Sequence, residues 1–353
     1  MSKDSSGSGL HQNRRDGATV GVVLFQLGGP DSLEAVEPFL CNLFSDPDII
    51  DFPFARLARP ALARLIAARR SRKVQAHYAS IGGKSPIGEL TQRQAEALER
   101  ELSKSTDARV FVAMRYWHPL TEAVVNELDA HPPRHLVLLP LYPQYSKTTT
   151  GSSLNEWHRQ YRPADSRPAP KIITEFHAHP LYLDALVEHI NRGLERFGHL
   201  ESADYAGDQR SHTSPDVHLV FSAHGVPRSV IEAGDPYQKQ IESTTELVMR
   251  RGRWPNPHRI CYQSRVGPGR WLEPSLEATL RKLAEQGAEK VLVIPIAFVT
   301  DHVETLSEID IAARSLAGKL GIRQFEVMPA LNDSPKFIQA LADLVLKTVN
   351  GAG

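Results

Sequence analysis

The chain has 353 residues, a length that favours two domains over one hydrophobic core. Its 41 acidic and 41 basic residues cancel, so the net charge gives no support to a nucleic-acid-binding protein. The two cysteines, Cys41 and Cys261, form no C-x-x-C pair. This argues against a zinc knuckle, a cysteine-held iron–sulfur cluster or a disulfide framework, and it favours a reducing compartment.

The chain begins with a polar stretch, residues 1–17, that is rich in Gly and Ser. This stretch lacks the apolar segment of a secretory signal, and we predict a disordered tail. No run of about eighteen apolar residues follows, so we expect no membrane-spanning segment.

Short apolar runs alternate with segments of helical spacing along the whole chain. In the first half such runs begin near residues 20, 108, 134 and 170, and in the second half near residues 217, 258, 289 and 323. This pattern predicts an α/β protein of two similar Rossmann-like domains, each with a parallel four-stranded sheet flanked by helices. We place the domains at 18–170 and 171–353, and the final helix, 335–349, could pack on either one.

A long insertion interrupts the first domain between about residues 44 and 90. Insertions of this length after a strand usually form lids or binding lips. Within it, residues 52–73 are apolar on one side and basic throughout. Three interpretations stay open: a helix packed on the body with solvated arginines, a segment lying on an anionic membrane surface, or a wall for an apolar ligand that carries carboxylates.

A histidine and a row of carboxylates follow two strands of the second half. Parallel sheets bind ligands at the carboxyl ends of their strands, and His224 ends one buried run directly before Gly225. Asp301, Glu304 and Glu308 follow another run at spacings of three and four, which predicts one helix face. Such a row suits a divalent cation or a moving proton. The competing interpretations are a core histidine and a solvated acidic helix turn.

Seven short motifs follow one another in order from about residue 20 to the C-terminal region. They are Leu27-Gly28-Gly29-Pro30-Asp31, Ile81-Gly82-Gly83-Lys84-Ser85-Pro86, Arg115-Tyr116-x-His118-Pro119, Pro143-Gln144-Tyr145-Ser146 with Thr149-Thr150-Gly151-Ser152, Ser222-Ala223-His224-Gly225-Val226-Pro227, Gln263-Ser264-Arg265-Val266-Gly267-Pro268, and Asp301-His302-Val303-Glu304-Thr305. Together these motifs, in this order, resemble the ferrochelatase family. The resemblance implies a chelatase-like pair of α/β domains with the active cleft between them. It also implies insertion of ferrous iron into a porphyrin to make haem.

The resemblance implies site residues position by position. His224 and Glu304 match the pair that faces the centre of the macrocycle, as catalytic residues and iron ligands, and Asp301 and Glu308 would extend an acidic path to them. Further positions would bind the porphyrin: Arg70, Tyr78 and Ser85 at the propionates or the mouth, Arg115 and Tyr116 in the inner pocket, and Leu27 and Tyr262 where they influence the shape of the pocket.

The resemblance implies protoporphyrin IX as the substrate, because Leu27 stands where the coproporphyrin-using branch tends to carry Tyr. Iron then enters as a substrate and two pyrrole protons leave. We expect no permanently bound cofactor and no iron–sulfur cluster, since the C-terminal cysteines of animal members are missing. The alternatives are a coproporphyrin III ferrochelatase, a sirohydrochlorin-type chelatase, and a non-catalytic porphyrin or haem carrier.

The expected partners are the porphyrin and Fe²⁺, without nucleic acid. A haem acceptor or an upstream oxidase, and a membrane surface that contacts residues 52–73, are further candidates. Both a monomer and a homodimer fit the sequence. We expect a bacterial cytoplasmic protein, with peripheral attachment to the inner face of the membrane as the alternative.

Overall fold

A computed structural model of the protein describes residues 18–49, 55–162, 168–198, 215–264 and 269–351. The tail predicted at residues 1–17 lies outside the described residues. So do the start of the segment 52–73 and four residues of the sixth motif.

The first half of the chain forms one parallel sheet that is flanked by helices. Its strands are β1 (Val20–Gln26), β2 (Ala108–Met114), β3 (His135–Pro140) and β4 (Lys171–Ile172). Its helices are α1 (Val36–Phe44), α2 (Ala55–Ala79), α3 (Ile87–Leu102), α4 (Thr121–Ala130) and α5 (Ser152–Gln160), the last preceded by the π-helix Lys147–Gly151. The strand order is β2-β1-β3-β4, and β1 is buried along its whole length, as expected for a strand covered on both faces.

The second half repeats this arrangement after the long helix α6 (Pro180–Gly198). Its strands are β5 (Val217–His224), β6 (His258–Gln263), β7 (Lys290–Pro295) and β8 (Gln324–Val327). Its helices are α7 (Arg228–Glu232), α8 (Tyr237–Gly252), α9 (Leu276–Glu285), the π-helix Glu304–Ala312, α10 (Ala313–Lys319) and α11 (Pro335–Asn350). The strand order is β6-β5-β7-β8, and every neighbouring pair is parallel.

The two sheets therefore have the same strand order, which confirms the predicted fold of two similar parallel α/β units. In both sheets the first strand of the unit pairs with the second and the third. The residues that follow the first and third strands consequently emerge side by side at the carboxyl edge of each sheet.

Two long helices, α6 and α11, connect the two halves through their packing contacts. Helix α6 follows β4 in the chain but packs against α8, β7 and β8 of the second half, whereas α11 ends the chain and packs against α3, β3 and α6. The final helix thus lies against both the first half and α6. Leu24 of the first sheet and Leu292 of the second belong to one continuous cluster of buried side chains.

The domain boundary predicted between residues 170 and 171 differs from the structure, because β4 lies beyond it and pairs with β3. The strand β4 lies in the apolar run that begins near residue 170, but it has only two residues and both are exposed. The chain leaves the first half at α6.

The predicted lip consists mainly of α2, which packs on α1 through a separate apolar cluster. Ala63 and Ala67 face this cluster, while Leu62 and Leu65 are exposed on the opposite side. Within the ranges given above, no helix is both long enough and apolar enough to cross a membrane.

Candidate active site

A cavity lies between the two sheets, at the carboxyl ends of strands from both. Its empty volume is about 740 Å³. The first sheet contributes Leu27 after β1 and Leu141 after β3, and the second contributes His224 at the end of β5 and Ala297 after β7. The lining is mostly apolar and hydroxyl-bearing, and among the described residues it includes neither Arg nor Lys.

His224 and Glu304 meet in this cavity. The Nδ1 atom of His224 lies 2.8 Å from Oε2 of Glu304, which is the first residue of the π-helix Glu304–Ala312. The side chain of His224 is 36% exposed and that of Glu304 is 17% exposed, so the imidazole is the more accessible of the two groups. Among the described residues, the only hydrogen bond of the ring uses Nδ1, so Nε2 is the nitrogen left for a ligand.

The backbone at the end of β5 allows the contact between His224 and Glu304, because Gly225 lies very close to β6. The amide of Gly225 donates to the carbonyl of Gln263 at 2.6 Å, and a Cβ atom at Gly225 would lie 2.8 Å from the same oxygen. A larger residue would therefore push the end of β5 away from β6. Since His224 directly precedes Gly225, such a shift would move the imidazole.

The two groups shift each other's pKa in opposite directions. Burial alone would lower the pKa of His224, but the adjacent Glu304 carboxylate outweighs burial and raises it. Burial alone would raise the pKa of Glu304, but the imidazole and its hydrogen bond lower it to about 2. Both shifts favour the state in which the pair holds one proton, as an imidazolium beside a carboxylate.

Glu308 continues the acidic line through Ser264. The Ser264 hydroxyl lies 3.3 Å from Oε2 of Glu304 and also contacts Oε2 of Glu308. Burial and the neighbouring Glu304 charge raise the pKa of Glu308. A serine hydroxyl has one hydrogen, so the two contacts are satisfied together when a protonated Glu308 donates to Ser264 and Ser264 donates to Glu304.

A second, wider cavity borders this acidic line on its other side. It has an empty volume of about 1760 Å³, and Glu308 and Ser264 form part of its wall. The predicted substrate residues Arg70 and Tyr262 also line it, together with Lys73 of α2. The two cavities share the wall in which Glu304, Ser264 and Glu308 are linked.

The predicted inner-pocket residues Arg115 and Tyr116 lie in a buried polar network that is separate from the first cavity. Arg115 forms an ion pair with Asp46 at 3.0 Å, and the Tyr116 hydroxyl donates to Asp46 at 2.5 Å. Ser152 also donates to Asp46, and Arg115 borders a third cavity of about 1000 Å³. The charges of this network compensate each other inside the protein.

Tyr78 and Ser85 are also buried behind the cavity walls. Tyr78 packs in the cluster between α1 and α2 and is 2% exposed. The Ser85 backbone amide donates to the carbonyl of Pro30, and its side chain packs against Gly29. Neither borders the first or second cavity among the described residues, whereas Leu27, predicted with them, borders the first.

Asp301 does not share a helix face with Glu304 and Glu308, because it precedes the π-helix that carries them. Its carboxylate accepts from the Thr305 hydroxyl at 2.9 Å, the Asn332 amide at 2.8 Å and the backbone of Ala330 at 3.2 Å. These bonds tie Asp301 to the loop after β8. Of the predicted acidic row, Glu304 and Glu308 therefore line the cavities among the described residues, and Asp301 does not.

Sequence reasoning missed several cavity residues. His302 is 6% exposed, its Nδ1 donates to the carbonyl of Thr300, and its Nε2 faces Glu304 at 4.0 Å. The Phe298 ring packs edge-on against the His302 ring. His302 stands inside the motif that contains Glu304, which was a usable signal, whereas Tyr237, another cavity residue, has no local signal at all. Within the described ranges, no group of three or more His, Cys, Asp or Glu is arranged to hold a metal ion.

Comparison with known proteins gives a consistent result over nearly the whole chain. A family model described as Ferrochelatase matches residues 19–349. A curated ferrochelatase of Nostoc sp. is 47% identical over 336 residues, which cover 94% of this chain and 82% of the relative. That of Geotalea uraniireducens is 47% identical over 329 residues, which cover 93% of this chain and 98% of the relative. The ferrochelatase of Synechocystis sp. is 46% identical over 337 residues, which cover 94% of this chain and 83% of the relative.

Solved structures of more distant proteins share the fold. A multi-domain Deinococcus radiodurans protein, described as structurally similar to chelatases, has a TM-score of 0.53 at 15% identity and covers 94% of this chain and 56% of its own. SirB from Bacillus subtilis, solved with Fe³⁺, has a TM-score of 0.52 at 9% identity and covers 95% of this chain and 97% of its own. The family match and the curated relatives together show that this chain belongs to the ferrochelatase family.

Proposed function

We propose that the protein inserts Fe²⁺ into protoporphyrin IX to give protohaem, with His224 and Glu304 as the catalytic pair. The observation that carries the proposal is their contact of 2.8 Å inside an apolar cavity between two sheets. Membership of the ferrochelatase family supplies the reaction class. Iron is a substrate here, and the role of the protein is to bind the ring, accept its protons and guide the cation.

Two pyrrole protons must leave the ring while the cation enters. The Nε2 atom of His224 is the ring nitrogen available to accept them, once the proton held by the His224–Glu304 pair has left. Ser264 and Glu308 offer that proton a route to the second cavity. The negative charge of Glu304 stabilises either an imidazolium or an incoming cation, and the pair would act as iron ligands during transfer.

The lining of the first cavity is mostly apolar away from His224 and Glu304, which fits the apolar faces and edge of a porphyrin ring. With neither Arg nor Lys among its described lining residues, the cavity disfavours sirohydrochlorin, which carries eight carboxylates. Propionates that extend out of the first cavity would need cationic partners elsewhere, and Arg70 and Lys73 of α2 are the candidates. Leu27 in the first cavity adds apolar contact, which supports protoporphyrin IX over coproporphyrin III.

An anaerobic assay with Fe²⁺ and each porphyrin tests this proposal. We expect the absorption spectrum of free protoporphyrin IX to be replaced by that of the metalloporphyrin, and coproporphyrin III to be converted more slowly. Faster conversion of coproporphyrin III would contradict the choice of substrate. Tight binding of porphyrin with an unchanged free-porphyrin spectrum after addition of Fe²⁺ would instead identify a carrier.

We also propose that α2 contacts an anionic membrane surface. Leu62 and Leu65 are exposed on the side of α2 that faces away from α1, and no acidic residue occurs in the helix. Sedimentation with vesicles should show binding to anionic lipid that Leu65→Ser reduces several-fold, because burial of leucine and the basic charge act together. Equal binding to neutral vesicles would contradict a contribution of the basic residues of α2 to membrane binding. The cytoplasmic compartment, an upstream oxidase or haem acceptor, and the oligomeric state stay predictions.

A further inference from the structure

One carboxylate outside the catalytic pair joins the two halves of the protein at the cavity. Asp235 lies between α7 and α8 in the second half. Its Oδ2 atom accepts from the Ser146 hydroxyl at 3.0 Å and from the backbone amide of Lys147 at 2.8 Å, both in the first half. Lys147 is the first residue of the π-helix Lys147–Gly151. Asp235 therefore holds the start of this π-helix.

The same carboxylate is connected to His224. Its Oδ1 atom accepts from the backbone amide of Tyr237 at 3.0 Å, and the Tyr237 hydroxyl donates to the carbonyl of His224 at 3.2 Å. Tyr237 is 5% exposed and lines the first cavity. A short path of hydrogen bonds thus runs from the π-helix through Asp235 and Tyr237 to the strand end that carries His224.

The π-helix that Asp235 holds is itself a cavity wall. Ser146, Thr148 and Thr149 line the first cavity, as His224 does. Because a carboxylate only accepts, the hydrogen of the Ser146 hydroxyl points to Asp235, and Ser146 is left as the acceptor for the backbone amide of Thr148 at 3.3 Å and its hydroxyl at 3.0 Å. This chain orients the hydroxyl of Thr148.

Two further contacts brace the same junction one and two turns along α8. Gln240 accepts from the backbone amide of Tyr145 at 2.7 Å, and Gln144 donates to the Thr244 hydroxyl at 3.1 Å. These contacts keep the loop before the π-helix on α8. Asp235 differs from them in that its own bonds reach both the π-helix and Tyr237.

We propose that Asp235 is a positioning residue for iron insertion, which sets the distance between the π-helical wall and His224. The inference rests on the proposed function. A ring bound between the π-helix Lys147–Gly151 and the end of β5 keeps a fixed distance to Nε2 of His224 only while the hydrogen bonds of Asp235 are formed. A displacement of about 1 Å at a reacting centre can lower a rate by about 100-fold.

Asp235→Asn is the variant that tests this inference. The amide keeps an oxygen for the backbone of Tyr237 but turns an NH₂ group towards the amide of Lys147, which then has no acceptor. We expect kcat to fall by about tenfold or more. The Kd for protoporphyrin IX without iron should change by less than about threefold, because the apolar walls remain. The pH at half-maximal activity should stay unchanged, since the His224–Glu304 pair is intact.

Asp333→Asn is the matched control. Asp333 also bonds a side chain of the first half, Arg93, at distances of 2.9 to 3.1 Å. Neither residue is among the described residues that line the cavity. The control should keep wild-type kcat, even where its melting temperature falls as much as that of Asp235→Asn.

Ser146→Ala and the double variant complete the test. Ser146→Ala removes one of the two bonds to Oδ2, so we expect a smaller loss of kcat. The double variant should lose less than the sum of the two single losses, because the two residues share the Ser146–Asp235 bond. If Asp235→Asn does not fold, Ser146→Ala alone carries the test. Wild-type kcat in Asp235→Asn, additive losses or a displaced pH profile would overturn the inference. An inactive wild-type protein would overturn the proposed function instead.

Discussion

His224→Ala is expected to abolish iron insertion while protoporphyrin IX still binds. The substitution removes the cavity nitrogen that accepts pyrrole protons, and it leaves the Glu304 charge without its partner at 2.8 Å. A positioned general base commonly contributes about 10²- to 10⁴-fold to a rate, so the remaining activity should lie at or below the limit of a continuous assay. Fluorescence quenching of the free porphyrin measures binding separately from turnover.

Two controls make this result interpretable. His218→Ala changes a histidine on the same strand, β5, which is not among the described residues that line the cavity, and it should keep most of the activity. The melting temperature of His224→Ala shows whether the fold is intact. Near-normal turnover in His224→Ala would remove this residue from the mechanism, whatever its effect on stability.

Glu304→Gln is expected to lose most of the activity and to change how the remaining activity depends on pH. Gln has nearly the shape of Glu but no charge, so it cannot stabilise an imidazolium or a cation in the cavity. Loss of one such electrostatic group typically lowers kcat by about 10²- to 10³-fold. The Glu304 carboxylate is also what raises the pKa of His224, and burial alone would lower it. The acid limb of the kcat profile should therefore move to lower pH in the variant.

The pair also makes stability depend on pH. The lowered pKa of Glu304 contributes stability above the ordinary glutamate value of 4.5, and this is lost as the pH falls towards about 2. The raised pKa of His224 contributes stability below the ordinary histidine value of 6.5, and this is lost as the pH rises through the raised value. The difference in melting temperature between wild type and Glu304→Gln should therefore be largest between about pH 4.5 and 6.5.

Glu308→Gln distinguishes a proton path through Ser264 and Glu308 from a solvated acidic helix turn without a role in the reaction. Glu308 contacts Ser264 but does not line the first cavity among the described residues, so we expect a smaller loss than for Glu304→Gln. The amide that Glu308→Gln introduces still donates a hydrogen bond to Ser264, but it releases no proton at the pH of the assay. Equal and small losses in the two variants would favour the interpretation of a solvated acidic turn.

The two sheets, and the edge of the second sheet at which His224 and Glu304 meet, could be predicted from the sequence for one physical reason. Strands that are buried on both faces produce continuous apolar runs, such as that of β1, and these runs stand out against their surroundings. The carboxyl ends of parallel strands bring distant residues to one edge of the sheet, which predicts that the residues after β5 and β7 lie close together. The family resemblance then singled out His224 and Glu304, which are 80 residues apart.

The remaining features depend on contacts that no local pattern encodes. Arg115 and Tyr116 follow β2 as a ligand-binding pair would, but their ion pair and hydrogen bond go to Asp46, which lies about 70 residues earlier. Spacing of three and four predicted an α-helical face for Asp301, whereas the structure forms a π-helix that begins after it. The role of Asp235 could not be seen either, because its partners come from both halves.

The exchange of α6 and α11 between the halves limits how the protein can move. Opening the cleft as a hinge would pull α6 from β7 or α11 from β3, and either movement would expose leucine-rich surface to water. Since α11 packs against both α3 and β3 of the first half and α6, we expect a ligand to enter and leave the cavity without separation of the two sheets.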